Sequence, residues 1–205
     1  MAPPVGLLIG HSFVYSLMTH LSFDSQPTGS FLARKLNIER IVSQFHMHGE
    51  RGSRICSRSF TLPHRLLQRV KPDFVILDFG TNDIVNGTHP FDVAAKLLQL
   101  ADRLHSQYHV NTVVICSVIN RQSRLNDLSP SQFASAAFDL NDFVKQSTAA
   151  SPRTIYHLHK GFWEDPISVW SRDGIHPNAT LGRKRYIKSI RRAAFTALQN
   201  FTFDR

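Results

Sequence analysis

Short apolar runs that stop abruptly at a turn residue recur along this chain at helix-sized intervals, and that rhythm restricts the fold more than any other feature. Val5 to Ile9 stops at Gly10, Phe74 to Phe79 stops at Gly80, and Thr112 to Ile119 is a third such run. Runs of this length without polar alternation read as strands buried on both faces of a parallel sheet. Ile41 to Phe45 and Thr154 to Leu158 have weaker strand character. Helical patterns fall between them. Residues 13 to 22 and Phe31 to Leu36 are brief candidates, and Phe60 to Val70 and Pro90 to Gln107 carry apolar stripes at helical spacing. Ser129-Pro130-Ser131-Gln132 combines a Ser cap, a Pro in the first turn and a Gln three residues on, which starts a helix. Asn178 to Leu198 predicts a long, basic helix.

Strand and helix thus alternate about five times. That pattern calls for an α/β fold of three layers (α/β/α), flavodoxin-like, around a mostly parallel sheet of about five strands. With 205 residues, 42% of them hydrophobic, the chain can bury one sizeable core. No repeat, low-complexity tract or linker divides it, so residues 1–205 read as one domain.

In an open parallel sheet, ligands sit at the carboxyl ends of the strands. Ser12 follows the Val5–Ile9 run by way of the Gly10 turn, where free backbone donors could face an anion. Ser12 is therefore a candidate nucleophile, with a plain helix N-cap as the alternative. The loop from Gly49 to Gly52 lets a backbone N–H approach a bound group closely. Asn82 follows the Phe74–Phe79 run and offers a neutral side-chain donor, though Asn82-Asp83 also reads as a turn. Late in the chain, Asp173 and His176 lie three apart around Gly174-Ile175, a spacing that lets the carboxylate reach the Nδ1 side of the same imidazole. A serine, a donor set and an oriented imidazole are the parts that acyl transfer needs.

These four blocks together resemble the SGNH, or GDSL-type, hydrolase superfamily. Gly10-His11-Ser12 resembles the block with the nucleophile, and Gly52 the second-block glycine, with Gly49 its rival. Gly80-Thr81-Asn82-Asp83 matches Gly-x-Asn-Asp, and Asp173-Gly174-Ile175-His176 matches Asp-x-x-His. The resemblance implies an esterase with a Ser12–His176–Asp173 triad and an oxyanion hole formed by the Ser12 and Gly52 backbone N–H groups and the Asn82 side chain. It requires no metal and no cofactor. One departure stands out: His11 replaces the usual aspartate of Gly-Asp-Ser, which bears on the poise of Ser12. Gly-His-Ser, Gly-Thr-Asn-Asp and Gly161-Phe162-Trp163 also resemble a metazoan branch of these domains found in retrotransposon-like open reading frames. His11, Arg121, Phe162 and Trp163 are expected to line the substrate pocket.

The net charge of +9 favours a polyanionic partner, and nucleic acid is one such expectation beside the small-molecule ester. An inactive binding module on the same fold is the rival to the esterase. Histidine pairs at alternate positions, His46/His48 and His157/His159, read as half-exposed sheet rather than metal ligands. Two cysteines without a CxxC predict a reducing, intracellular and cytoplasmic setting, and no run is long enough to span a membrane.

Overall fold

A computed structural model describes residues 3–21, 28–123, 128–163 and 168–201. The strands are β1 (Val5–Gly10), β2 (Gln44–Gly49), β3 (Phe74–Asp78), β4 (Thr112–Cys116) and β5 (Thr154–His157). They form one five-stranded sheet in the order β2-β1-β3-β4-β5, every pairing parallel. The helices are α1 (Ser12–Leu21), α2 (Gly29–Lys35), α3 (His64–Val70), α4 (Thr81–Val85), α5 (Pro90–Tyr108), α6 (Pro130–Thr148) and α7 (Leu181–Phe201). Apolar residues of α1, α2 and α7 pack on one face of the sheet, and those of α3 to α6 on the other. Three layers result, as the alternation requires. The chain leaves β1 toward β2 on one side and resumes at β3 on the other. The crevice for a ligand therefore opens at the carboxyl ends of β1 and β3.

β1 and β3 lie where the apolar runs predict them, and β4 starts where its run does, because all three are interior strands. β2 runs from Gln44 to Gly49, three residues later than Ile41–Phe45 suggests. It is an edge strand, with Phe45 and Met47 buried while Gln44, His46 and His48 are partly exposed. Ile41 and Val42 belong instead to a turn whose amides donate to the Ile38 carbonyl. α3 starts only at His64, with Pro63 as its cap. A proline disfavours helical backbone in the residue before it, so the stripe from Phe60 cannot all be helix. The α6 capping box forms as read, between Ser129 and Gln132. β4 ends at Cys116, before Ile119, because the backbone N–H and C=O of Val118 turn to the Asn141 side chain at 2.8 and 2.9 Å. α7 begins three residues late because the Asn178 side-chain oxygen accepts the Thr180 and Gly182 amides and caps the turn before it. Among the described residues no helix is long and apolar enough to cross a membrane.

Candidate active site

The turn that carries Ser12 is built by close approach. Gly10 ends β1 opposite Gly49 on one side and Asp78 on the other. A Cβ on Gly10 would stand 2.4 Å from Val14 Cγ2 and 2.6 Å from the Asp78 carbonyl oxygen, so only glycine fits. The His11 amide donates to that same carbonyl at 3.2 Å, and the Glu50 amide donates to the Gly10 carbonyl at 3.1 Å. The chain then turns directly into α1, whose first residue is Ser12.

Asp173 organises the opposite wall. Its Oδ1 accepts the Ser171 hydroxyl at 2.6 Å and the Ile175 and His176 amides at 2.8 and 2.9 Å. That leaves Oδ2 to face His176 Nδ1 at 2.7 Å. Partial burial alone would raise this carboxyl, but the Ser171 hydroxyl, the His176 ring and the two amides hold it well below the usual carboxylate range. The turn is tied down by the Ser171 amide on the His176 carbonyl and the Gln122 amide on the Gly174 carbonyl, at 2.8 and 2.9 Å. His176 Nε2 reaches to 3.3 Å from Ser12 Oγ across 164 residues of sequence. The Phe13 ring stands edge-on to His176 at 5.7 Å.

Asn82 occupies the first turn of α4 and donates from Nδ2 to the Ser53 carbonyl at 3.1 Å. One residue on, buried Asp83 accepts the Ile55 and Cys56 amides at 3.3 and 2.9 Å. Burial pushes the Asp83 carboxyl up, against those amides. The Asn-Asp pair thus pins the second-block loop from two sides, a role for Asp83 that residue-by-residue reading missed. Gly52 sits on an exposed turn at φ 68° with open space around it, next to Ser53. Gly49 instead packs against α1, where a Cβ would stand 2.2 Å from the Tyr15 nitrogen.

The four residues expected to line a pocket stand in different surroundings. His11 is 1% exposed, its Nδ1 3.4 Å from Ser12 Oγ and its Nε2 3.7 Å from Asp78 Oδ1. Arg121 is 3% exposed, with its guanidinium stacked 4.3 Å over the Phe133 ring. Phe162 is fully buried against Trp170, in the core on the α1/α2/α7 side. Trp163 lines a 510 Å³ cavity with Phe138, Asn141 and Lys145, away from Ser12, Asn82 and His176. Arg121 and Phe162 are thus buried, and Trp163 lines the hollow beside α6. The histidine pairs also part. His46 and His48 stand half-exposed on β2, whereas His157 and His159 are buried and share the Ser189 hydroxyl at 3.0 and 2.8 Å. Neither cysteine is a rival nucleophile of low pKa: burial and Asp83 push the Cys56 thiol up to about 11, and burial holds Cys116 well above the ordinary thiol value.

A serine, an aspartate-oriented imidazole and an asparagine at the carboxyl edge of an α/β sheet fit a hydrolase triad. The sequence profile of the GDSL-like Lipase/Acylhydrolase family matches residues 8–182, and the chain belongs to that family. Among curated proteins no sequence matches it significantly. Solved structures share its fold. The protein TesA superposes with a TM-score of 0.66 at 20% identity, covering 94% of this chain and 99% of its own. A carbohydrate esterase family 3 protein from Talaromyces cellulolyticus gives 0.66 at 15%, covering 96% and 99%. An acetyl esterase variant with bound acetate gives 0.63 at 16%, covering 97% and 100%.

Proposed function

We propose that the chain is a serine esterase that hydrolyses a carboxylic ester with a short acyl group such as acetyl. One observation carries this reading: Ser12 Oγ, His176 Nε2 and Asp173 Oδ2 form a single line of contacts at 3.3 and 2.7 Å. Ser12 attacks the carbonyl carbon while His176 takes its proton. The Asp173 carboxylate keeps the other ring proton on Nδ1 and stabilises the imidazolium. The oxyanion is held by the Ser12 and Gly52 backbone N–H groups and by the second N–H of Asn82 Nδ2, each worth roughly 10²–10³ in rate. The acetyl esterase with bound acetate among the structural neighbours supports a small acyl group. The test is turnover of p-nitrophenyl esters of increasing acyl length by wild type and Ser12→Ala. The proposal expects the shortest chains to turn over fastest and Ser12→Ala to be inactive though folded. Equal turnover by that variant refutes it.

A second reading, that the domain also holds a polyanion, rests on a separate surface. Lys160, Arg185, Lys188 and Arg192 line a 290 Å³ hollow with no carboxylate among its lining residues. α7 carries six Lys or Arg and no Asp or Glu over Leu181–Phe201. Nucleic acid is the expected partner, in keeping with the retrotransposon-like branch and an intracellular, cytoplasmic setting. Binding of a single-stranded oligonucleotide should weaken steeply with salt and with Lys188→Glu/Arg192→Glu. Salt-independent binding removes this reading.

A further inference from the structure

We propose that His11 is a second imidazole base for Ser12, so that one hydroxyl stands between two Asp–His pairs. The inference rests on the hydrolase reading and explains the histidine in place of the usual aspartate.

The two imidazoles hold nearly equal stations. His176 Nε2 lies 3.3 Å from Ser12 Oγ, and His11 Nδ1 lies 3.4 Å from it. Each ring has a carboxylate on its far nitrogen: Asp173 Oδ2 at 2.7 Å from His176 Nδ1, and Asp78 Oδ1 at 3.7 Å from His11 Nε2. Phe13 packs on both rings, with centroids 4.5 Å from His11 and 5.7 Å from His176.

Asp78 is held as an anion although it is 1% exposed. Burial opposes ionisation, but His159, His11 and the Tyr186 hydroxyl together bring its carboxyl below the ordinary value. Tyr186 donates its hydroxyl to Oδ2, and His159 Nε2 stands 3.8 Å from the same oxygen. The Ser189 hydroxyl meets His159 Nδ1 at 2.8 Å and extends the network to His157.

The charge on Asp78 decides the tautomer of His11. A carboxylate attracts an N–H and repels a nitrogen lone pair, so neutral His11 keeps its proton on Nε2. The lone pair on Nδ1 then faces Ser12, as the lone pair on Nε2 of His176 does. A buried histidine of purely structural use would spend both nitrogens on the scaffold. Among the described residues, Ser12 Oγ is the hydrogen-bond partner found for His11 Nδ1.

The step balances without a further reagent. The Ser12 O–H bond breaks, its proton moves to His11 Nδ1, and Oγ bonds to the carbonyl carbon. The imidazolium so formed lies beside the Asp78 carboxylate. An ester with a good leaving group expels it as the anion and needs only a base. The imidazolium loses its proton to water; the neutral ring then takes a proton from the attacking water as that oxygen bonds to the acyl carbon, and the acyl–Oγ bond breaks as the proton passes on to Ser12 Oγ. A poor leaving group needs a proton delivered to it. His11 is buried and His176 has a partly exposed side chain, so that delivery falls to His176.

The experiment compares p-nitrophenyl acetate turnover by wild type, Ser12→Ala, His176→Ala and His11→Asn/His176→Ala, from pH 5 to 9. With a single base, losing the base costs about as much as losing the nucleophile. Here His176→Ala should stay at least about tenfold above Ser12→Ala, and adding His11→Asn should return it to that floor. Asn keeps a hydrogen-bonding atom near the Nδ1 position but cannot take the proton, which separates a base from a mere positioning contact. The residual rate should rise with pH through a midpoint below the ordinary imidazole value, since burial, the largest influence, lowers His11 more than Asp78 raises it, and His159 lowers it as well. Tyr186 stands one group further out, with its hydroxyl on Asp78. If the double variant does not fold, Asp78→Asn/His176→Ala should show the same loss. An active wild type with His176→Ala already at the Ser12→Ala floor overturns the second base alone. A residual rate that survives both second-site changes overturns it too. A wild type with no turnover sinks the hydrolase reading and this inference with it.

Discussion

Asp173→Asn should cost far more activity than its single-atom change suggests, and the turn geometry says why. Oδ1 is committed to three donors, at 2.6, 2.8 and 2.9 Å. In the asparagine variant only the carbonyl oxygen can serve them, which forces the NH₂ group into the Oδ2 position beside His176 Nδ1. The ring must then turn a lone pair to that amide and carry its proton on Nε2, where it faces Ser12 and cannot accept. The equivalent change in a buried serine-protease triad costs about 10⁴ in kcat. Here the Asp173 and His176 side chains are 45% and 38% exposed, so water relieves part of the penalty. A loss of about 10²–10⁴, or roughly 3–5 kcal/mol, is expected in kcat for p-nitrophenyl acetate, with KM changed less than about threefold. Acid stability should shift as well. Asp173 has a depressed folded pKa, so its contribution is full above the ordinary carboxylate value and fades as pH falls below it. The variant should lose that acid-side slope. A kcat within about threefold of wild type would refute the tautomer argument.

Other perturbations separate scaffold from site. Gly49→Ala drives a Cβ to 2.2 Å from backbone that cannot yield and should cost about 3 kcal/mol or more in urea melts, whereas Gly52→Ala meets open space and should cost about 1 kcal/mol while keeping its amide and kcat. Equal stability of the two variants would contradict the packing of α1 on β2. Asn141→Leu strands the buried N–H and C=O of Val118, so about 2–5 kcal/mol and about 5–15 °C of Tm should be lost by calorimetry; a shift under 2 °C would contradict that bridge. His157 is held down to about 4 by burial, His159 and Arg192, so the folded state resists its protonation and stability should fall by up to about 3 kcal/mol from pH 6.5 toward 4. His157→Gln should flatten that slope in Tm against pH, and an unchanged slope would place its origin elsewhere.

The interior strands were legible because burial on both faces writes a continuous apolar run, as at Phe74–Asp78 and Thr112–Cys116. The edge strand β2 was misplaced because its signal is alternation through histidines, and the nearby Ile41 and Val42 are spent on a turn. Ser12, Asn82, Asp173 and His176 could be picked out because each follows a strand end or fills a short fixed spacing. The partners of His11 could not. Asp78, His159, Tyr186 and Ser189 come from β3, the segment after β5 and α7, and only the closed sheet brings them together. Arg121, Phe162 and Trp163 follow strand ends in the chain, but proximity in sequence says nothing of which way a side chain turns. Phe162 turned into the core.

Ser12 as the activated nucleophile is the claim on which the rest depends, and a fluorophosphonate probe with intact-mass and peptide readout tests it most directly. The account predicts one adduct per chain, mapped to Ser12 and absent from folded Ser12→Ala. A folded wild type that takes no adduct, or one labelled equally in the Ser12→Ala variant, would contradict it.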